Sequence, residues 1–345
     1  MKYDKIAILS IILCTTIIFG EIVVYAVNPF SCDADVEWED DEVNYSVTAS
    51  VVDTYSVILM DNGNVAAPKT LYIYVDERYD KFYGDLDDET IQYIDTEHHS
   101  LQLMNLLKIR GLNDVHLIRG DEIDEIMKDE HPQTKGLLVM SFFLPASVYD
   151  GTASSPLLKW IEAGGLLYWT GSEAGGYYVL EDELKRVTGN QLLLFGEECI
   201  NTSEVDIIQP QMDTDDLTEA LALKWNRIRY GLDVSNIPGS LSMGFTYDGY
   251  SSVAMVPRGD GMICVIGGTS IDRIKCDDIA QVISSGITCS TNVLEIGHGT
   301  VKRGTSSDVM ELNGTSSDLR LMIYVGGYYT IFGISFDRYD IVEGA

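Results

Sequence analysis

Residues 137–172 read LLVMSFFLPASVYDGTASSPLLKWIEAGGLLYWTGS. An apolar strand over 136–142 is followed by a polar loop, and Ser155-Pro156 then supplies an N-cap with proline at the first helical position. Leu157, Leu158 and Ile161 form the buried face of a short helix that Gly164-Gly165 stops. Leu166–Thr170 is a second apolar strand, closed by a tight polar turn at Gly171-Ser172-Glu173. Strand, helix and strand at this spacing form a parallel unit, because parallel neighbours need a crossover connection. In open α/β sheets ligands gather at the carboxyl ends of strands. The turn at 171–173 is therefore the first place to look for function.

Working outward, the same alternation continues in both directions. Thr70–Asp76 is a continuous apolar run, as expected of a strand covered on both faces. A helix spans about 95–110 with Leu103, Met104, Leu106 and Leu107 inward and Gly111 at its end, and Val115–Ile118 is the next strand. Asp121 caps a helix through about Glu130, with Pro132 beyond it. Downstream, the pattern predicts a helix around 181–188, a strand at 191–195 and a helix over Asp215–Tyr230. Strands at 241–247, 252–256 and 261–266 and a helix at about 276–285 follow. The expected fold of residues 65–287 is α/β, a three-layer, mostly parallel sheet of flavodoxin type. Strands in 43–64 and a β-rich segment over 288–345 flank it, and the two are expected to pair as a small module.

The amino end sets the expected location. Ile6–Val27 is a 22-residue apolar stretch interrupted by Glu21, long enough to cross a hydrocarbon core of ~30 Å. Lys2 and Lys5 precede it and the acidic run Asp33–Glu42 follows, so the expected topology is a cytoplasmic amino terminus with the body outside. Residues 1–27 are thus a membrane anchor, or alternatively a signal peptide cleaved near Ala26, and 28–42 an acidic juxtamembrane stalk. Sequons at Asn44, Asn201 and Asn313 suit an extracellular surface. Of six cysteines Cys14 falls in the apolar stretch, and Cys276 and Cys289 are close enough in sequence to be a candidate disulfide.

The chain carries 54 acidic and 23 basic residues, a net charge of −31. Such a surface repels phosphate backbones and excludes nucleic acid as a partner. The expected partners are the membrane and an envelope protein or glycan, and no cofactor motif is present. Asp33, Asp35 and Glu37 are candidate calcium ligands, although the run lacks the glycine of an EF-hand loop. Trp169, Tyr177 and Tyr178, around the Gly175-Gly176 turn, are candidate lining residues of a sugar or peptide cleft.

LLKWIEAGG, the LLYWTG strand after it and the later GDGMICVIGG together resemble the class I glutamine amidotransferase-like family, over about 200 residues. The likeness is to its extracytoplasmic prokaryotic and archaeal members. It implies a flavodoxin-like domain with a cysteine nucleophile on a strained turn after the strand and a later His-x-Glu. In Thr170-Gly171-Ser172-Glu173-Ala174-Gly175, Ser172 stands where the family has its cysteine, and no His-x-Glu follows. The departure from the family pattern implies that glutamine hydrolysis is not expected of this chain.

A serine nucleophile needs an imidazole base and an orienting group. His298 is the one histidine after Ser172, so Ser172, His298 and Glu173 are the candidate catalytic set. The expectation is a non-enzymatic, membrane-anchored extracytoplasmic binding or scaffold protein on an inactive amidotransferase-like domain. The alternatives are a serine hydrolase acting on envelope glycan or peptide through Ser172, and a carbohydrate-binding surface protein.

Overall fold

A computed structural model of the protein describes residues 32–39, 42–61, 63–85, 96–140, 142–171, 173–196, 200–201, 215–223, 231–245, 250–267, 273–311, 319–326, 329–331 and 334–336. The expected anchor at 1–27 lies outside them. Among the described residues no helix is long and apolar enough to cross a membrane.

The strands run in chain order as β1 (Cys32–Trp38), β2 (Glu42–Asp61), β3 (Thr70–Val75), β4 (Asp114–Arg119), β5 (Lys135–Val139) and β6 (Leu166–Gly171). They continue as β7 (Tyr177–Leu180), β8 (Glu183–Arg186), β9 (Ile200–Asn201), β10 (Gly231–Leu232), β11 (Leu241–Phe245) and β12 (Ser251–Arg258). The last are β13 (Gly261–Gly267), β14 (Asn292–Glu311), β15 (Leu319–Gly326), β16 (Tyr329–Ile331) and β17 (Ile334–Phe336). The helices are α1 (Thr96–Ile109), α2 (Glu122–Ile126), α3 (Pro156–Glu162), α4 (Asn190–Phe195), α5 (Asp216–Ala220) and α6 (Arg273–Ser284), with a 3-10 helix at Glu77–Asp85.

The chain divides into two compact units. The first gathers Met1–Ser56, Gly297–Thr315 and Ile323–Gly344, and the second Val57–Ile296, Ser316–Met322 and Ala345. In the first unit β1 and β2 pair antiparallel from Cys32↔Ala49 to Trp38↔Val43. Val43, Tyr45, Val47 and Ala49 are buried on one face of β2, the period-2 pattern of a half-covered sheet. The Tyr55 ring meets Tyr45 edge-on at 6.3 Å, and a Cβ at Gly299 would lie 2.2 Å from it, so only glycine fits there. Part of the expected acidic stalk is therefore a strand. Asp35 and Glu37 face outward while Ala34, Val36 and Trp38 are half-buried. The sheet runs β1-β2-β14, with β15 also beside β2.

The second unit is built on a nine-stranded mixed sheet in the order β4-β3-β5-β6-β13-β12-β10-β9, with β11 beside β12. β4, β3, β5, β6 and β13 are parallel. Counting only these five strands in chain order gives 2-1-3-4-5, the flavodoxin-like arrangement. From β12 onward the pairings turn antiparallel.

Register explains how two layers of helix are held apart. Tyr74, Val139, Trp169, Val265 and Ala254 lie side by side across five strands. They pack with Ile123 of α2 and with Leu157, Leu158, Trp160 and Ile161 of α3 in one core. The neighbouring row, Ile73, Leu138, Tyr168, Cys264 and Met255, is one residue out of step and points to the opposite face. α1 and α6 pack against each other, and right-handed crossovers place α1 on the face away from α2 and α3.

Three expectations are corrected. Residues 181–188 are not a helix: β7 and β8 form a hairpin whose tip residues Glu181 and Asp182 have φ of 49° and 67°. Two consecutive positive φ values give the turn whose twist matches paired strands. Residues 191–195 are helix α4, bracketed by left-handed Gly189 and Gly196, with Leu194 and Phe195 inward. The helix expected over 215–230 is capped by Asp215, which accepts from Thr218 N at 2.8 Å, but it ends at Ala220. Ala222 has a φ of 49°, which no helix continues through. Residues 224–230 lie outside the described set.

Candidate site at the carboxyl end of the parallel sheet

In the 2-1-3-4-5 order the crevice opens where chain direction reverses, between β3 and β5. The segments leaving those strands are the 3-10 helix and residues 140–149. At this point β3 ends at Val75 and is followed by Asp76, which is only 3% exposed. Its Oδ2 accepts from Tyr74 Oη at 3.0 Å and from Arg78 Nη2 at 2.6 Å. Its Oδ1 accepts from Arg78 Nε at 2.8 Å and from the Arg78 backbone N–H at 3.1 Å. Arg78 also reaches Asp121 Oδ1 at 3.4 Å.

The electrostatic consequences follow from burial. Burial, then the Asp76 charge, pushes the Tyr74 phenol far above its ordinary value, and the same two causes push Tyr79 up to about 12. The hydrogen bond to Asp76 holds Arg78 more firmly protonated than usual. Neither phenol is an acid or base at neutral pH.

An aromatic row closes the crevice. Tyr79 and Phe82 are 6.2 Å apart, Phe82 meets Phe143 edge-on at 6.1 Å, and Phe143 meets Tyr177 edge-on at 6.3 Å. Tyr79, Phe82 and Phe143 are buried. Lys81 lies 4.9 Å above the Phe82 ring and forms an ion pair with Asp182 at the hairpin tip, while Arg186 lies 5.7 Å from the Tyr177 ring. Phe142, buried beside them, has a φ of 61°, a conformation that costs a bulky side chain on the order of 1 kcal/mol or more.

The turn after β6 is knitted into the same end. β6 and β13 finish side by side at Gly171 and Gly267. Asn190 Nδ2 donates to Ala174 O at 2.9 Å, Tyr149 Oη to Gly175 O at 3.0 Å, and the Val187 N–H to Gly176 O at 2.8 Å. Gly175 has a φ of 62°, and a Cβ there would meet Leu194 and the Tyr149 hydroxyl.

The residues singled out in the sequence fall in different places. Ser172 lies outside the described residues. Glu173 is half-buried in the second unit, whereas His298 is exposed in the first, its Nδ1 3.1 Å from Ser56 Oγ. Trp169 is 1% exposed and belongs to the core, so it lines no cleft: alternation points it at the α2–α3 layer. Tyr177 and Tyr178 are half-buried, and Tyr177 belongs to the aromatic row.

Asp33, Asp35 and Glu37 stand at alternate positions along β1, each about 7 Å from the next, and Asp35 and Glu37 are exposed. Among the described residues no group of three or more His, Cys, Asp or Glu is placed to hold a metal. Asn44 sits in β2 opposite Glu37, Asn201 ends β9, and Asn313 is outside the described set. The Cys276–Cys289 bridge is not formed, and both are thiols. Cys276 Sγ donates to His99 O at 3.8 Å. Cys276 Sγ is turned to His99 O of α1, whereas the Cys289 backbone N–H is held at Met262 Sδ on β13.

Sequence reasoning missed Asp76, Arg78, Phe82 and Phe143. A signal was present: a carboxylate ending an apolar strand that is covered on both faces needs a partner close by.

No family model matches the chain, and no curated protein matches it. Solved structures do. A family GH42 β-galactosidase from G. stearothermophilus is 19% identical with a TM-score of 0.40, covering 64% of this chain and 30% of its own. A β-galactosidase from Rahnella is 12% identical with a TM-score of 0.42, covering 72% and 41%. An exo-β-1,4-mannosidase from an Opitutaceae bacterium is 14% identical with a TM-score of 0.32, covering 64% and 33%. The chain spans between 30% and 41% of the length of these enzymes.

Proposed function

We propose that this chain is a non-enzymatic, membrane-anchored extracytoplasmic binding or scaffold protein, built on an amidotransferase-like domain whose ligand crevice is filled by its own side chains. The observation that carries the reading is the edge-on contact of Phe82 with Phe143 at the switch point, 6.1 Å between centroids. Beside it the buried carboxylate of Asp76 is consumed by Arg78 and Tyr74. General acid or base chemistry needs a group with an accessible proton or lone pair and a value near neutrality. Asp76 offers no accessible lone pair, and Tyr74 and Tyr79 hold their protons.

The anchor and the outward-facing body rest on the 22-residue apolar stretch and its flanking lysines. The partner is an envelope protein or glycan, reached through the loops of this end. The experiment compares full-length protein in detergent with Ser172→Ala on ester, peptide and glycoside substrates. The expected result is no turnover that the substitution removes. Hydrolysis lost in Ser172→Ala overturns the reading. Protease digestion of the body from outside intact cells tests the location, and full protection there contradicts it.

A further inference from the structure

We infer that the outer rim of the crevice is a binding site for an acidic glycan, whose carboxylates are held by Arg186 of β8 and Lys81 of the 3-10 helix. The chain has 54 acidic residues against 23 basic ones, yet two exposed cations stand here at the ends of one run of touching rings. Lys81 lies over Phe82, Phe82 meets Phe143, Phe143 meets Tyr177, and Arg186 lies over Tyr177. The two charges are thus separated by two ring-to-ring steps, of 6.1 and 6.3 Å. All of these residues belong to the second unit.

Strand register gives Arg186 its place. It is paired with Tyr177 across the hairpin, so the two side chains share a face, and the same face carries Val179 and Leu184. Glu183 and Lys185 point to the other face, where they form an ion pair with each other. No carboxylate of the paired strands therefore stands on the face of Arg186, and among the described residues it has no ion-pair partner. The Tyr177 ring holds its guanidinium carbon at 5.7 Å from the centroid, while the side chain stays exposed. A guanidinium carries several N–H donors in a planar fork and accepts nothing. A fork held against a ring and left open to solvent is a receptor for a carboxylate.

Lys81 shows the other half in use. Its ammonium is paired with the carboxylate of Asp182, an exposed residue at the hairpin tip with a φ of 67°. Exposed ion pairs of this kind contribute little, so a ligand carboxylate displaces Asp182 readily. Arg78, the third cation of the row at 5.6 Å from the Tyr79 ring, is already engaged by Asp76 and Asp121. A uronic acid unit brings both chemistries that the strip offers: a carboxylate for the fork and an apolar ring face for the half-buried Tyr177. An acidic peptide brings the charge without the ring face. The acidic surface elsewhere repels a polyanion and confines it to this strip. The inference rests on the proposed reading and names the glycan class that the non-catalytic crevice end holds.

The test measures binding to the full-length protein in detergent by calorimetry. The probes are a short oligogalacturonate, its methyl ester and an oligoglutamate of the same charge. The oligogalacturonate is expected to bind, and the other two to bind on the order of tenfold more weakly. Arg186→Gln is expected to lower affinity for the oligogalacturonate by on the order of tenfold, with Arg186→Lys recovering only part of the loss. Asp182→Asn is expected to raise it, because the internal competitor for Lys81 is gone. Absence of binding, equal binding of the methyl ester or tighter binding of the oligoglutamate overturns the inference, as does an Arg186→Gln that binds like the wild type. The probe comparison uses the wild-type chain, so it decides the matter even where a variant does not fold. Breakdown of the bound oligogalacturonate defeats the non-enzymatic reading and leaves the site standing.

Discussion

Arg78 holds the buried Asp76 carboxylate through both oxygens, from a position two residues further along the chain. Its guanidinium is half-exposed while the carboxylate is not, so the arginine works as a lid on a charge that water cannot reach. Arg78→Met leaves that carboxylate with Tyr74 and one backbone N–H, at an expected cost of on the order of 2 kcal/mol. Adding Asp76→Asn restores part of the loss. Urea unfolding of the single and double variants measures both, and a neutral Arg78→Met contradicts the assignment.

A second prediction concerns two glycines that behave oppositely. A Cβ on Gly261 would lie 2.2 Å from Ile161 O and 2.3 Å from Gly165 O, against backbone that has nowhere to go. Gly261→Ala is expected to cost about 3 kcal/mol or more. Gly111, at φ 93°, faces open space, and Gly111→Ala is expected to cost about 1 kcal/mol through backbone strain alone. Thermal or urea midpoints of the two variants should differ in that order.

The hairpin tip offers a gain. Glu181 is exposed with a φ of 49°, a conformation that asparagine tolerates better than glutamate. Glu181→Asn is expected to raise stability by a few tenths of a kcal/mol. A lower thermal midpoint would mean that Glu181 makes a contact worth more than the turn.

The pH dependence has a definite sign at Asp129 and Lys135. The side-chain hydrogen bond from Lys135, then the His131 backbone N–H, lowers Asp129 below its ordinary 3.8, and the same ion pair raises Lys135 above 10.5. The Asp129 contribution is therefore complete above about pH 4 and lost as pH falls through its lowered value. The Lys135 contribution is complete below about pH 10 and lost as pH rises through its raised one. Both side chains are partly exposed, so the sum is expected to stay under about 1 kcal/mol. The difference in thermal midpoint between wild type and Asp129→Asn should be flat from about pH 5 to 9 and vanish toward about pH 2. A difference that grows in acid would contradict the sign.

Much of the second unit was legible because its signals are local. Gly164 takes a φ of 112° and Gly165 lies against the Trp160 ring, so the helix stop and the strand after it follow from two residues. The hairpin at 177–186 was not legible, because Glu181-Asp182 carries none of the Asn-Gly chemistry that announces such a turn. Three consecutive leucines at 192–194 fit either period over so short a span, and the left-handed glycines at both ends decided for helix. At the candidate site, position along the chain pointed to the turn after β6. The reversal of strand order, which no local pattern encodes, puts the crevice between β3 and β5 instead.

Trp160 and Trp169 are both enclosed in the core of the second unit, and neither indole nitrogen has a hydrogen-bond partner. Trp38 belongs to the first unit. Indoles in dry surroundings emit at short wavelength and shift to the red when wetted. With Trp225 replaced by phenylalanine, the chain therefore carries a separate optical reporter in each half. One denaturant titration read at two emission wavelengths, repeated without Trp38, shows whether the halves melt together or in turn.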